Sequence, residues 1–389
     1  MRGVLCLDSR SFVQCVAYHP LIRCPQSTGM SHPLEFAKHV QHDAIGEAGP
    51  MSDEATKRPR VVTFGEGMVR LTPPRNERIE RTISLDLSPG GAELNTAVTL
   101  ACLGFDAEWV SRLPDNGLGH YLARQSRAHD VDLSHVNWVG DDEGRMGLYL
   151  LEEGADPRPS SVLYDRQHSA FARLKPGEFD WTAIFQGASA FHISGITPAV
   201  SEAAQAETMT AIQAANTAGV PVFFDLNYRS KLWTEAEARH SFMEIAPLVD
   251  VMFASRSGLN TFFGIEGDHE TAMASALHKL GIAVCVMTRK KGKRSRSLRL
   301  SGMALGPSGH LHQTDWTDVE VVDRLGGGDA FAGGFIAGYI EDPANLNRSL
   351  ELGLAASALK HTMPGDFLAA SHAEIEAATL ATDGGVLQR

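Results

Sequence analysis

From position 60 onward the chain alternates between short apolar runs and longer segments with apolar residues at helical spacing. The run Val61–Phe64 ends at Gly65-Glu66-Gly67, which predicts a buried strand closed by a turn. The segment 90–104 opens with two glycines, has helical spacing and stops at a glycine, which predicts a helix. Residues 107–112 predict the next strand.

The same alternation continues through the middle of the chain. Further strands are predicted at 190–194, 220–225, 249–253 and 283–287, and helices at 202–218, 235–245 and 272–279. Strands and helices at this spacing are typical of parallel βαβ units. We therefore predict an α/β fold with a doubly wound, mostly parallel sheet flanked by helices, with ligands beyond the carboxyl ends of the strands.

Two stretches break this pattern, at about 68–88 and 145–165. Both alternate like exposed strands, and we interpret them as a small β-sheet lid inserted near the start of the domain. Residues 1–58 show neither periodicity and are interpreted as a leader, either poorly ordered or produced by a start site assigned too early. Residues 59–389 are assigned to the main domain.

Composition narrows the class of protein. The 389 residues are 43% hydrophobic and 21% charged, as in globular proteins, and carry a net charge of −12. That charge disfavours nucleic acid as a partner, and the basic run at 289–299 is interpreted as a solvated loop near an anionic ligand, with a nucleic-acid patch as the alternative. No apolar stretch is long enough to predict a membrane span. Five cysteines without a C-x-x-C pair favour a reducing, cytoplasmic location.

The strongest local motif is Gly326-Gly327-Gly328-Asp329, in which glycines open a helix directly after a predicted strand. Backbone N–H groups at a helix N-terminus attract anions, glycines let a phosphoryl group approach closely, and an aspartate there can take a proton from a hydroxyl. A turn without a ligand and a helix-capping aspartate are the structural alternatives. The motifs of P-loop enzymes, protein kinases, dinucleotide-binding folds and common hydrolases do not occur.

Two segments together resemble the signatures of the ribokinase-like (PfkB) family of sugar kinases. They are Gly90-Gly-Ala-Glu-Leu-Asn95 and Gly326–Asp329, and the resemblance runs from about Val61 to the C-terminus. Several segments between and after them are similar to those of 2-keto-3-deoxygluconate kinases (2-dehydro-3-deoxygluconokinases). These segments are 113–116, 145–149, 164–166, 194–198, 225–233 and 360–366.

The resemblance implies roles for individual residues. Asp329 would be the catalytic base, with the backbone of Gly326, Gly327 and Gly328 neutralising the transferring phosphoryl group. Substrate-binding roles fall on Gly90, Gly91, Asn95, Tyr149, Tyr164, Arg166, Arg229 and Asp366, of which the two arginines would approach a carboxylate. Nucleotide-binding roles fall on Asp225, Asn227, Thr288, Gly326 and Gly328.

Each of these side chains also has a structural alternative. The tyrosines could be lid packing, the arginines surface ion pairs, Gly91 a turn, Asn95 a buried polar group, Asp225 and Asn227 a helix-capping turn, and Asp366 a residue that shapes a loop. The chain also departs from the family pattern: Ser255-Arg-Ser-Gly258 stands where relatives usually have Asn-x-x-Glu, and Thr288-Arg-Lys-Lys replaces a glycine-rich turn. The metal ligands are therefore left unassigned.

The expected function is ATP-dependent phosphorylation of the primary hydroxyl of a sugar acid, in particular 2-keto-3-deoxygluconate, with ATP and Mg²⁺ as cofactors. The alternatives are a kinase for another sugar, such as fructose or a related deoxy sugar acid, and a sugar-binding relative with weak catalysis. The exposed strands of the lid favour a homodimer.

Overall fold

The computed structural model describes residues 58–294 and 296–380. The predicted leader lies outside these residues except for Arg58, so its interpretation stays a prediction. The described part of the chain contains fourteen strands. In chain order they are β1 (Arg60–Phe64), β2 (Met68–Thr72), β3 (Asp86–Gly90), β4 (Asp106–Pro114), β5 (Val136–Val139), β6 (Gly147–Glu152), β7 (Ser161–Asp165), β8 (Ala190–Ser194), β9 (Val222–Asp225), β10 (Val251–Phe253), β11 (Val284–Arg294), β12 (Ser297–Leu305), β13 (Leu311–Gln313) and β14 (Thr317–Glu320).

Ten of the described strands form the main sheet, in the order β13-β12-β11-β10-β9-β8-β1-β4-β5, with β14 also paired to β12. Every pairing from β11 to β5 is parallel. Strands β12, β13 and β14 add antiparallel pairings at one edge. The predicted mostly parallel sheet is therefore confirmed. The chain runs from β1 towards β4 and later returns to β8 on the other side of β1, and ligands of such sheets bind where the strand order reverses.

Helices cover both faces of this sheet. In the described residues they are α1 (Ala92–Cys102), α2 (Gly117–Arg127), α3 (Trp181–Ile184), α4 (Glu202–Thr217), α5 (Glu235–Ile245), α6 (Arg256–Phe263), α7 (His269–Leu280), α8 (Gly327–Glu341), α9 (Leu346–His361) and α10 (His372–Leu380). Helices α1, α2, α8, α9 and α10 share one hydrophobic core, and α3–α7 share the other. Because both faces are covered, Val61, Val62 and Phe64 of β1 are all fully buried, as in other parallel sheets.

The predicted lid is present as a separate four-stranded sheet in the order β3-β2-β6-β7. Arg70, Tyr149 and Tyr164 are register partners and therefore lie on one face, while Leu71, Leu150 and Leu163 lie on the other. Arg70 and Tyr149 are buried, whereas Leu163 is 60% exposed. The alternation seen in the sequence thus separates a face turned towards the protein from a face turned outward.

The interpretation of 289–299 as a loop is wrong. These residues belong to a hairpin in which Arg289 pairs with Ser301 and Lys291 with Arg299. The many charged residues led to the loop interpretation, because lysine and arginine are uncommon in buried strands. They are tolerated in strands along a sheet edge. Trp316 lies against this hairpin, with its ring centre 4.8 Å from the Arg289 guanidinium carbon and 4.4 Å from Lys291 Nζ.

Candidate active site

The candidate site residues lie along the carboxyl edge of the main sheet. Asp225 ends β9, Ser255 follows β10 and Thr288 lies on β11. Helices α1 and α8 also begin at this edge and pack against each other. A Cβ on Gly333 of α8 would lie 2.7 Å from Thr99 Cβ of α1, so the glycine is needed for this close packing. Because the two helices pack closely, Asn95 on the first turn of α1 contacts Asp329 on the first turn of α8.

Asp329 and Asn95 form the centre of the site. Asn95 Nδ2 donates a hydrogen bond to Asp329 Oδ2 at 2.6 Å, and the Asn95 Oδ1 atom is buried without a protein partner among the described residues. Burial raises the pKa of Asp329 to about 7, with the Asn95 hydrogen bond and Arg229 opposing the rise and Asp225 adding to it. A carboxylate with a pKa near neutrality, beside an unused buried acceptor, suits proton abstraction from a hydroxyl.

The helix-capping alternative for Asp329 does not occur. The N-cap of α8 is Gly326, and no side chain caps this helix. The first intrahelical bond runs from Ala330 N to Gly326 O, at 2.8 Å. The N–H groups of Gly327, Gly328 and Asp329 therefore precede it and can serve an anion.

A cleft of about 380 Å³ lies beside Gly328. Five site residues predicted from the sequence line this cleft, namely Asp225, Asn227, Arg229, Thr288 and Gly328. Burial raises the pKa of Asp225 to about 6, with the Asn227 N–H and Arg229 opposing. Asp225 Oδ1 accepts the Asn227 N–H at 3.1 Å, and Asn227 has φ 29°, so the two form a local turn rather than a helix cap.

The segment Ser255–Gly258 forms the other wall of this cleft. Ser255 caps α6 by accepting a hydrogen bond from the Gly258 N–H at 3.0 Å, and Ser255, Ser257 and Gly258 all line the cleft. This wall contributes hydroxyl and amide groups but no carboxylate. The described residues contain no group of three or more histidine, cysteine, aspartate or glutamate side chains arranged to hold a metal ion.

The second set of predicted residues gathers under the lid. Tyr149 OH donates to Asp366 Oδ2 at 2.7 Å, and burial together with the Asp366 charge raises the pKa of Tyr149 well above its usual value. A Cβ on Gly90 would lie 2.2 Å from the Tyr149 hydroxyl and 2.9 Å from Asp366 Oδ2. The Tyr164 ring stacks on Tyr149 with centroids 6.0 Å apart. Tyr149 and Asp366 are thus engaged with each other, whereas Tyr164 is 37% exposed.

The two predicted arginines differ in their surroundings. Arg166 is buried and pairs with Glu66, donating from Nε to Oε2 at 2.8 Å, so it is not a surface ion pair. Its guanidinium carbon lies 6.0 Å from the centre of the Tyr164 ring. Arg229 is exposed at the cleft. Gly91 lies beside the same Glu66, because its Cβ would be 2.5 Å from the Glu66 carbonyl oxygen.

Sequence reasoning gave no individual role to two charged residues near the site, Arg70 and Lys290. Arg70 of β2 donates to Asp323 Oδ2 at 2.6 Å and to Asp366 Oδ1 at 2.9 Å, which ties the lid to the main domain. Lys290 lies two residues after Thr288 on β11 and interacts electrostatically with Asp329 and Asp225, while desolvation lowers its pKa. The sequence pattern could have indicated both residues. Arg70 alternates with apolar residues on a lid strand, and Lys290 lies on the same strand face as Thr288.

Comparisons with known proteins show the family of the chain. A family model described as pfkB family carbohydrate kinase matches residues 58–371. The 2-dehydro-3-deoxygalactonokinase of Haloferax volcanii is 36% identical over 326 residues, covering 84% of this chain and 98% of that protein. The 2-dehydro-3-deoxygluconokinase of Bacillus subtilis is 30% identical, covering 78% of this chain and 90% of that protein.

A solved structure gives the same result in three dimensions. The crystal structure of 2-dehydro-3-deoxygluconokinase from Thermotoga maritima superposes with a TM-score of 0.80 at 37% identity. The match covers 83% of this chain and 99% of that one. Among the described residues, no helix is long and apolar enough to cross a membrane.

Proposed function

The chain belongs to the pfkB family of carbohydrate kinases, and we propose that it transfers a phosphoryl group from ATP to the primary hydroxyl of a 2-keto-3-deoxy sugar acid. It is a carbohydrate kinase similar to 2-dehydro-3-deoxygluconokinases. The proposed substrate is 2-keto-3-deoxygluconate, converted to its 6-phosphate. The observation that carries the proposal is the placement of Asp329 between the unused Asn95 acceptor and the open N-terminus of α8.

In the proposed reaction Asp329 takes the proton from the substrate hydroxyl as that oxygen attacks the phosphoryl group. Asn95 holds the carboxylate of Asp329 through Nδ2, and its free Oδ1 accepts a hydrogen bond from a substrate hydroxyl. Phosphoryl transfer requires alignment and charge neutralisation more than covalent chemistry, so a fixed base and a donor-rich cradle are sufficient contributions from the protein.

The cleft beside Gly328 fits the phosphates of a nucleotide. Gly328, at the N-terminus of α8, lines it, and Thr288 adds a hydroxyl. Lys290 interacts electrostatically with Asp329 and Asp225 at this edge and adds positive charge. Bound Mg²⁺–ATP supplies the phosphoryl group to be transferred. Because the Ser255–Gly258 wall has no carboxylate, we propose that Asp225 and the nucleotide phosphates provide the ligands of the metal.

Recognition of an acid is proposed for Arg166 and Arg229. The Glu66 pairing fixes one edge of the Arg166 guanidinium and orients the group next to Tyr164 under the lid. A planar guanidinium binds a carboxylate with two parallel hydrogen bonds, which a neutral sugar does not need. The similarity to a 2-dehydro-3-deoxygalactonokinase keeps the epimeric acid as a second candidate substrate.

The test is ATP consumption by the purified protein with Mg²⁺ and matched concentrations of 2-keto-3-deoxygluconate, 2-keto-3-deoxygalactonate, fructose and ribose. We expect a preference for a 2-keto-3-deoxy acid. Preference for fructose or ribose would replace the substrate proposal while leaving the family unchanged. Absence of turnover with all four would favour a weakly catalytic binding protein, for which the Ser255–Gly258 segment is the motivating observation.

Substitution of the arginines tests carboxylate recognition directly. We expect Arg166→Ala and Arg229→Ala to lower kcat/KM for the acid substrate by about 10–100-fold more than for a neutral sugar. Arg127→Ala, at an exposed position in the last turn of α2, is the matched control and should change neither. Equal losses on acid and neutral substrates would contradict carboxylate recognition.

We also propose that the protein is a homodimer formed through the lid. On the outward face of the lid, Leu87 pairs with Leu71, Leu71 with Leu150, and Leu150 with Leu163. The two outer members of this row, Leu87 and Leu163, are 45% and 60% exposed. A second copy covering the row would remove this apolar surface from water and protect the exposed edges of the sheet.

A further inference from the structure

Lys360 is a buried lysine that the proposed reaction does not use. It lies in the last turn of α9 and its residue is 0% exposed. Lysine is rarely buried to this extent unless its charge is compensated. Its Nζ donates to the Met363 carbonyl oxygen at 3.3 Å, and an ammonium group has three hydrogens to donate. The charge of Lys360 must therefore be balanced by groups beyond this one hydrogen bond.

The carboxylates of Asp323 and Asp366 interact electrostatically with Lys360 and can balance its charge. Both raise the pKa of Lys360 against the larger lowering effect of burial. The same two carboxylates bind Arg70, at 2.6 and 2.9 Å. Two positive and two negative charges therefore share one buried region. Without Lys360 the region would carry an uncompensated negative charge next to the loop that precedes α8.

That loop is attached to the end of α9. The N–H groups of Val322 and Asp323 donate to the His361 carbonyl oxygen at 2.8 and 3.2 Å. Ser357 Oγ donates to the Gly327 carbonyl oxygen at 2.7 Å, and Asp323 Oδ1 accepts the Leu325 N–H at 3.0 Å. The position of Asp323 thus fixes the segment that leads into the three glycines, and the charge of Lys360 acts on Asp323.

We propose that the Lys360 ammonium is a built-in monovalent cation that positions the loop from Val322 to Gly328, so that phosphoryl transfer needs no added K⁺ or Na⁺. An ammonium group carries the same single positive charge as these ions. Like them, it is stabilised by neighbouring carbonyl and carboxylate oxygens. Lys360 is a positioning residue, because it acts through Asp323 rather than on substrate. The kinetic part of this inference rests on the proposed kinase function.

The first measurement is turnover of the unaltered protein in K⁺, Na⁺ and choline chloride at constant ionic strength. The proposal requires the same kcat in all three salts. Stimulation by K⁺ or Na⁺ over choline would overturn it, and this result does not depend on whether any variant folds.

The second measurement uses Lys360→Ala, which removes the charge and leaves space for a small cation. We expect kcat to fall by about tenfold or more, and K⁺ or NH₄⁺, but not choline, to restore a substantial part of it. Lys279→Ala removes an exposed lysine from the last turn of α7 and is the matched control, with unchanged kcat in every salt. A loss that no cation restores would assign Lys360 a purely structural role and contradict the proposal.

A third measurement separates this inference from the proposed function. Melting temperatures recorded without sugar or ATP should be the same in K⁺ and choline for the unaltered protein. For Lys360→Ala the melting temperature should be higher in K⁺ than in choline, because the vacated position then binds the ion. The proposal fails if the variant shows no such difference, whatever substrate the enzyme uses.

Discussion

Gly326, Gly327 and Gly328 are adjacent in the sequence but are glycine for different physical reasons. Gly326 has φ 77°, and its Cβ would lie 1.9 Å from the Asp366 carbonyl oxygen. A Cβ on Gly327 would lie 2.1 Å from His361 Cε1. A Cβ on Gly328 would meet no protein atom within 4 Å, and this residue lines the cleft. Packing thus explains the first two glycines, and for the third we propose the close approach of a ligand.

This difference predicts opposite results from two alanine substitutions. Gly328→Ala should keep or slightly raise the melting temperature, because alanine favours a helix, while turnover with ATP falls by about 10–100-fold. Gly327→Ala should instead lower stability by about 1–3 kcal/mol through overpacking against His361. Thermal melting and steady-state kinetics measure both effects. Normal ATP kinetics in Gly328→Ala would remove the third glycine from the phosphate cradle.

Asp329 gives the enzyme a predicted pH dependence. As the proposed base, Asp329 must be ionised to take a proton, and its pKa is about 7, so kcat/KM should rise with pH up to about 7 and then level off. Asp329→Asn should lower kcat by about 10²–10⁴-fold while calorimetry shows retained sugar binding. Turnover that survives this substitution, or a flat pH profile between pH 5.5 and 8, would contradict the assignment.

The same residue should lower the stability of the fold. The pKa of Asp329 is raised to about 7 in the folded protein, so ionisation costs more there than in the unfolded chain. The native state is therefore disfavoured progressively as pH rises from the unfolded pKa, about 4, to about 7. Asp329→Asn should melt at a higher temperature than the unaltered protein, with a gap that grows over this range and stays constant above it.

At the scale of elements, the lid has a polar face that contributes to the candidate site and an apolar face whose outer members, Leu87 and Leu163, are exposed. Leu163 lies at the exposed end of the leucine row on the outward face. If the homodimer forms there, Leu163→Glu should convert it to a monomer, as measured by light scattering. Met243→Glu, which alters a 52% exposed methionine on α5, is the matched control and should leave the mass unchanged. A monomeric unaltered protein would exclude the proposed dimer.

A buried network of side chains around Arg70 connects the lid to the main domain. This arginine lies on β2, yet its carboxylate partners lie on the loop before α8 and after α9. Tyr149 of β6 binds one of the same carboxylates. Two strands of the lid are thereby fixed to the main domain at the proposed substrate-binding residues by hydrogen bonds of 2.6–2.9 Å, a geometry expected for charge-assisted contacts.

At the scale of the whole molecule, buried histidines should make the fold sensitive to acid. His192 of β8 is buried in the main sheet, its Nδ1 has no partner among the described residues, and burial lowers its pKa to about 3. Between pH 6.5 and about 3 the unfolded chain binds a proton at this residue and the native protein does not. Stability therefore falls as pH falls through this window, by about 1.4 kcal/mol per pH unit for one such group.

Melting curves of His192→Leu test this expectation. Compared with the unaltered protein, the variant should lose less melting temperature between pH 6.5 and 4. His278→Leu, at an exposed position on α7, serves as the control and should follow the unaltered protein. The melting temperatures of variant and unaltered protein are compared at each pH, because Asp225 and Asp329 change the stability of both in the opposite direction. Their pKa values are raised in the folded protein, so their contribution to stability increases as pH falls. Parallel curves for His192→Leu would contradict the buried, neutral state of this residue.

Local patterns in the chain were sufficient for the class of fold and for the centre of the site. Hydrophobic periodicity encodes whether a segment can be a covered strand or a helix, and the predicted helix 235–245 coincides with α5. The glycines and aspartate at 326–329 imply an anion-binding helix start because their chemistry acts within a few residues. The same locality explains why the basic hairpin was misinterpreted, since its strands are defined by their partners and not by their own composition.

Contacts between residues far apart in the sequence could be identified only from the tertiary structure. Arg70 meets Asp323 and Asp366 across 253 and 296 positions of sequence, and no periodicity relates them. The same holds for the pairing of Arg166 with Glu66 and for the difference between Gly327 and Gly328. The sequence by itself thus determined most strands of the parallel sheet, several of its helices, the family resemblance and the proposed catalytic motif. Only the order of strands and the packing of helices decided which charges are paired and which groups stay free for substrate, because burial and electrostatic pairing depend on neighbours in space.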